Sequence, residues 1–283
     1  MITCKLQGGL GNQLFQIFTT IAYALKYSKP FFFINKTQLG DGENGSTIRY
    51  TYWDTFLSGL KPFLKNVDQI PQLMFIKEKS FRYEKIPENF NNKYGLMLDG
   101  YFQTHLYFDL CKTMICKLLK MDTKKLCVRE KEKNNIDFNN VISIHFRRGD
   151  YKNYPNIHPI LSNEYYIHSL IYILRELKTN KSINVLYFCE EEDIKEVELI
   201  IKELESVFVS LVFQRAIPLL SDWEQLLLMS LCNHNIIANS TFSWWGAYLN
   251  DNPSKIVCYP ELWFGKDVSH DTSDLFPEDW IKI

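Results

Sequence analysis

The sequence predicts an α/β protein built on doubly wound parallel sheet. Three features carry the prediction. From Val141 onward, strand-like runs alternate with helix-length segments, the pattern that lays helices on both faces of a parallel sheet. The N-terminus opens with a strand, a glycine-rich turn, an amphipathic helix and a second strand, a β-loop-α-β unit. At mid-chain, the strand-like Val141–His145 runs straight into Phe146-Arg147-Arg148-Gly149-Asp150. A buried strand there ends on two adjacent positive charges.

Taken in order, Ile2–Leu6 is the first strand and Gln7–Asn12 (QGGLGN) the turn after it. Over Asn12–Tyr27, apolar residues recur at Leu14, Phe15, Phe18, Ile21, Ala22 and Leu25, the stripe of a helix with one buried face. Pro30 stops it, and Phe31–Ile34 is the next strand. Asn35–Asn92 has no clean period. Asp41–Ser46 (DGENGS) is a loop, and Tyr50, Tyr52, Trp53 and Phe56 cluster without a repeat. Irregular structure is expected there, of the kind that carries specificity. Leu96–Phe102 is a strand, and Thr104–Lys120 a helix with Thr104 as its N-cap. The Lys-, Arg- and Glu-rich run Asp122–Asn140 reads as a solvated helix end and linker. It sets the domain boundary, giving residues 1–138 and 139–283.

The second half then predicts strands at Val141–His145, Ile183–Cys189, Val207–Phe213, Asn235–Ala238 and Lys255–Cys258. Helices are predicted at Ser162–Lys178, Glu191–Ser206, Asp222–Asn233 and Ser240–Asn250. Sheets of this type bind ligands beyond the carboxyl ends of their strands. HFRRGD, CEEED and NSTFS all fall at that edge.

The 283 residues suit one large domain or two of about 140. A net charge of −1 offers no global basic field for nucleic acid or an anionic membrane, so any anion site is local. The seven cysteines are odd in number and include no C-x-x-C pair, which points to a reduced, cytosolic setting without disulfides or a zinc site. Met1 leads directly into a strand pattern, with no signal peptide ahead of it and no apolar run of the ~18 residues a membrane span needs. The N-x-S/T triplets at Asn35, Asn44, Asn180 and Asn239 are therefore read as chance.

Three segments carry candidate chemistry. In Gly8-Gly9-Leu10-Gly11-Asn12-Gln13, glycines permit positive φ and close backbone approach, and the helix start offers N–H groups to an anion or sugar. The spacing is neither G-x-G-x-x-G nor a Walker loop, and a plain tight turn explains it equally well. In His145–Tyr151, the two arginines form a clamp whose planar forks match phosphate oxygens; the ordinary alternative is a surface salt bridge to Asp150. Asp150 either orients an arginine or contacts a hydroxyl, and His145 is either catalytic or a satisfied core histidine. In Asn239–Gly246 (NSTFSWWG), hydroxyls and N–H groups at a helix start suit phosphate, while N-capping by Asn239 or Ser240 is the ordinary role. Trp244 and Trp245 are expected to pack. Glu190–Asp193 either offers a carboxylate to a ribose or is an acid-rich helix start. The chain has no D-x-D triplet, so a metal-dependent phosphate site is unsupported. No G-x-S-x-G elbow supports a hydrolase either.

Together, GGLGNQLFQ at the N-terminus, HFRRGDY at mid-chain and ANSTFSWWGAYL near the end resemble the signature segments of glycosyltransferase family 11, the α-1,2-fucosyltransferases. DGYFQTHLYF (Asp99–Phe108), Leu228–His234, YPELWF (Tyr259–Phe264) and the DLFPEDWIKI tail are similar to it too. The resemblance implies a GT-B-type α/β fold, two Rossmann-like domains facing a cleft, with the first on the acceptor side and the second holding the donor. It implies inverting transfer of fucose from GDP-L-fucose to the 2-hydroxyl of a terminal galactose in a glycan, with no metal and no further cofactor. The implied catalytic residues are His145, Arg147, Arg148 and Asp150. Gly9, Gly11, Asn12 and Gln13 with Asn239, Ser240, Thr241 and Ser243 make the donor-binding set. The family often carries Ser-Asp-Asp where this chain has Cys189-Glu190-Glu191. Another GDP-sugar, another fucosyl linkage, or a catalytically silent glycan- or nucleotide-binding homologue are the alternatives. The expected partners are GDP-fucose and a galactoside acceptor, not nucleic acid, in the cytoplasm with room for peripheral contact with a membrane. The general base, the acceptor oligosaccharide and the oligomeric state are left open.

Overall fold

In the computed structural model, residues 1–40, 48–88, 93–178 and 182–283 are described. The predicted loop Asp41–Ser46 and the triplets at Asn44 and Asn180 lie outside the described residues. The chain divides into Met1–Lys124 with His270–Pro277, and Lys125–Ser269 with Glu278–Ile283. The expected boundary between 138 and 139 falls inside the second of these units.

In the first unit, β1 (Ile2–Cys4) leads through the glycine turn into α1 (Leu10–Lys26). The helix starts earlier than the apolar stripe suggested, because Gly9 is its N-cap and Gly11 already packs as a buried helical residue. Lys26 in its last turn suits the helix dipole. β2 (Phe33–Ile34) pairs in parallel with β5 (Leu64–Lys65), and β3 (Gln38–Leu39) in antiparallel with β4 (Arg49–Tyr50). β6 (Leu73–Lys77) and β7 (Gly95–Asp99) complete a parallel sheet of order β1-β7-β6. The region expected to be irregular thus holds a five-residue strand, which its edge position left without a fully apolar face. The predicted Thr104–Lys120 helix is instead two 3₁₀ turns (His105–Tyr107, Asp109–Cys111) and α2 (Lys112–Leu118). Phe108, at φ −137°, breaks the run. Thr104 is an N-cap as expected, its hydroxyl accepting the Leu106 N–H at 3.3 Å.

The run expected as linker contains α3 (Met121–Glu132). Met121, Lys125, Val128 and Glu132 are buried and recur at helical spacing. Charge masked this face: Lys125 pairs with Asp251 and donates to the Leu249 carbonyl.

The second unit is the alternating one. β8 (Val141–His145), α4 (Asn163–Leu177), β9 (Ile183–Phe188), α5 (Ile194–Val207), β10 (Leu211–Arg215), α6 (Asp222–Ser230), β11 (His234–Ile236), α7 (Thr241–Tyr248), β12 (Val257–Tyr259) and β13 (Ile281–Lys282) follow in turn. All six strands are parallel, ordered β10-β9-β8-β11-β12-β13. Counted within the unit, that is 3-2-1-4-5-6, the dinucleotide-fold order. The predicted strand at Val207–Phe213 is displaced to β10, because α5 runs on to Val207. Every residue of β8 is buried, as befits a central strand covered on both faces. Burying side chains such as Ile142 and Ile144 contributes about 1.5–3 kcal/mol each. Trp244 and Trp245 are wholly buried, Trp244 stacking on Tyr248 at 4.8 Å.

Candidate active site

The chain runs outward from β8 through β9 to β10, then returns to β11 on the other side of β8. Neighbouring strands therefore diverge in connection at β8 and β11, and their carboxyl ends border a crevice. Parallel register sets His145 opposite Phe188 of β9, and Ile144 opposite Ile236 of β11. His145 ends β8, the other seven second-unit candidates follow β8 or β11, and the two loops are tied directly. The Tyr151 hydroxyl donates to the Asn239 carbonyl at 3.0 Å, and the His145 and Phe242 rings lie 5.6 Å apart.

His145 is buried, and its Nδ1 has no hydrogen-bond partner. Burial, with help from the Arg147 charge, pushes its pKa down to about 3, so its imidazole is neutral. Arg147 pairs with both Asp150 and Glu190 and lies 5.0 Å from the Tyr151 ring centre. The salt bridge to Asp150 weighed from the sequence does form. Arg148 Nε donates to Glu196 Oε2 at 2.9 Å. Between them and the rest of the loop stands Gly149, at φ +22°, where an added Cβ would collide with the Glu190 carboxyl. Each arginine is about one-fifth exposed, so both reach solvent while already charge-matched.

At the β11 edge, Ser240 caps α7, its hydroxyl accepting the Phe242 N–H at 3.3 Å. Thr241 is the first helical residue. Asn239 and Ser243 point inward. Asn239 Nδ2 donates to the carbonyls of Pro159 (2.9 Å) and Trp263 (3.2 Å), and the buried Ser243 hydroxyl accepts the Ala238 N–H at 3.2 Å. These two brace the strand-to-helix turn.

In the first unit the glycine loop follows β1. The left-handed residue is Gly8, at φ +78°, where a Cβ would strike the Asn12 side chain. Gly9 has open space where a Cβ would stand and makes no side-chain cap to α1. Gln13 is fully buried and donates to the carbonyls of Gly8 (3.0 Å) and Tyr50 (2.9 Å). Asn12 Oδ1 accepts from Gln103 Nε2 at 3.0 Å. Glu78, at the end of β6, accepts the N–H groups of Tyr101 (2.7 Å) and Phe102 (2.9 Å) and so holds Phe102 at φ +53°. Burial raises the pKa of that carboxyl.

Sequence reasoning missed Glu78 and Glu196, and singled out Glu190–Asp193 without their contacts: Glu190 pairs with Arg147, while Asp193 meets the Gly149 N–H and Lys152. An acid run after β9 was visible as Glu190–Asp193, but a helix start explains such a run equally well. Among the described residues no group of three or more His, Cys, Asp or Glu is placed to hold a metal ion, and no helix is long and apolar enough to cross a membrane.

Paired arginines and a helix start lie together at the switch point, the edge where α/β proteins of this class take their ligands. The family described as Glycosyl transferase family 11 matches residues 50–283. The chain belongs to that family and is a glycosyltransferase. It is 28% identical over 315 residues to the O-antigen biosynthesis glycosyltransferase WbnK of Escherichia coli, covering 100% of both chains. It is 26% identical over 308 residues to an Alpha-1,2-colitosyltransferase of Escherichia coli, covering 100% of this chain and 99% of that one. A Galactoside 2-alpha-L-fucosyltransferase of Caenorhabditis elegans is 25% identical over 317 residues, covering 100% of this chain and 79% of that one.

Proposed function

We propose that this glycosyltransferase moves L-fucose from GDP-β-L-fucose to the 2-hydroxyl of a terminal galactose, with inversion and without a metal ion. The observation that carries the reading is the pair Arg147–Arg148 at the carboxyl end of β8, beside the start of α7. Family membership supports transfer, and the names of two relatives, one a galactoside 2-α-L-fucosyltransferase, support the sugar and linkage.

Departure of a nucleoside diphosphate gathers negative charge on its terminal phosphate. Two guanidinium forks and the N-terminal end of α7 meet that charge, a preorganised arrangement that favours the transition state over the ground state. Phosphate oxygens take the places now held by the carboxylates of Asp150, Glu190 and Glu196. Asn239 and Ser243 act through the turn they brace. Gly9, Gly11 and Asn12 form a second donor-binding element at the open start of α1, with Gln13 as its strut. Burial and the Arg147 charge keep His145 neutral, so it serves as a neutral hydrogen-bonding group beside the arginines. Inversion requires the acceptor hydroxyl in line on the opposite face of the fucose carbon. The same reading places the work in the cytoplasm, with loose membrane contact if the acceptor is lipid-linked.

A second reading, transfer of another GDP-linked sugar, is favoured by the full-length relative named as a colitosyltransferase. The test incubates the chain with GDP-fucose or, separately, GDP-colitose, a chelator, and lactose, N-acetyllactosamine or Gal-β1,3-GalNAc, and follows GDP release and product linkage. Release with an α-1,2 product is expected. Turnover only with GDP-colitose moves the assignment to the second reading, and GDP binding without any turnover moves it to a silent homologue. Arg148→Ala should lower kcat/KM about 100- to 1000-fold; an unchanged rate removes the clamp.

A further inference from the structure

The acids after β9 are not equivalent. Glu191 and Glu192 are exposed and Glu190 is half-buried, but Asp193 has no exposed surface. Its Oδ2 accepts the Gly149 backbone N–H at 2.7 Å. Its Oδ1 lies 2.7 Å from Lys152 Nζ. One buried carboxylate thus holds the loop after β8 at two points, the residue that follows Arg148 and a residue three further on. Gly149 is buried and sits at positive φ, so its N–H depends on this acceptor; a buried amide left without one costs its full desolvation. Glu196, one helical turn beyond Asp193, holds Arg148 Nε at 2.9 Å and Lys152 Nζ at 2.8 Å.

We propose that Asp193 is the positioning residue of the arginine pair: by accepting the Gly149 amide, with the Lys152 ammonium as its counter-charge, it fixes the direction in which Arg147 and Arg148 leave the sheet. The inference rests on the reading of these arginines as ligands of the donor diphosphate. Asp193 faces the protein side of the loop, and its effect reaches a ligand only through the loop backbone. The alternative is that the buried ion pair serves stability alone. The two differ in what they predict for ligand affinity in a folded variant.

The experiment titrates GDP calorimetrically into the full chain and into Asp193→Ala and Asp193→Asn, with a thermal midpoint for each. Asp193→Ala is expected to bind GDP about tenfold or more weakly, the size of one lost hydrogen bond to a charged group. Asp193→Asn keeps an oxygen for the Gly149 N–H and should recover to within about threefold of the wild type. A folded Asp193→Ala with wild-type affinity overturns the positioning role and leaves the donor reading standing. An equal loss in Asp193→Asn also overturns it, since charge and not the held amide would then decide. Should Asp193→Ala not fold, Asp193→Ser, whose shorter side chain draws its oxygen back from the Gly149 N–H, is expected to show the same loss, and wild-type affinity in it overturns the proposal. A wild-type chain that binds no GDP overturns the donor reading and this inference together.

Discussion

His145 ends a fully buried strand, and its position alone dictates its chemistry. In the unfolded chain its imidazole titrates near 6.5; in the folded chain burial and the Arg147 charge hold it down at about 3. Between those values the unfolded state binds a proton that the folded state refuses. The stability that neutral His145 permits is therefore complete above about pH 6.5 and is lost as pH falls toward 3. At pH 5 the loss is about 2 kcal/mol. Buried His234, pushed down to about 4, adds a loss of the same sign. Urea unfolding of the wild type and His145→Gln at pH 7 and pH 5 checks this: the drop on acidification should be about 2 kcal/mol smaller in the variant. The arginines themselves were readable from sequence, because two cations directly after an apolar run have few structural uses. Asp150 was readable as a partner too, from its place three residues after Arg147; Glu190 and Glu196 were not, because any of several acids would satisfy the same pattern.

At the scale of elements, long apolar runs declared themselves and short or charged ones did not. α1 and β8 follow from their own side chains. β6 and α3 escaped notice, the first because an edge strand alternates weakly, the second because Lys125 and Glu132 occupy part of its buried face. The approach of α6 to α7 depends on one small residue. At Gly246 a Cβ would lie 2.8 Å from Met229 Cβ, inside any normal carbon contact. Gly246→Ala should therefore destabilise the chain by about 1–3 kcal/mol despite the better helix propensity of alanine, measured as a lowered urea midpoint with an unchanged slope. Because α7 is capped by Ser240, GDP affinity in the same variant reports whether that strain travels to the helix start.

At the scale of the whole molecule, the C-terminal segment serves each unit separately. Asp274 accepts from Arg82 Nε (3.2 Å) and from the Tyr83 N–H (3.0 Å), and its carbonyl accepts from Thr104, all within the first unit. Beyond it, β13 pairs with β12, and Trp280 is buried in the second. A chain ending at Ser269 should lose ordered structure in both units, seen as protease-sensitive sites in each and a broadened thermal transition. A cut chain with wild-type protection would show the tail to be dispensable.

The sequence by itself determined the alternating class of the second unit, the buried strand that ends on Arg147 and Arg148, and the family segments around them. Those are local properties: periodicity and punctuation act over a few residues. Only the tertiary structure decided which partners those residues meet. Parallel register sets the end of β8 against the end of β9, and so brings Glu190, Asp193 and Glu196 to a loop more than forty residues away in the chain. It also chose Gly8 over Gly9 for the left-handed position, and turned Asn239, Ser243 and Gln13 inward as braces. Hydrogen-bond partners across such distances depend on where the backbone folds back, and no local pattern encodes that.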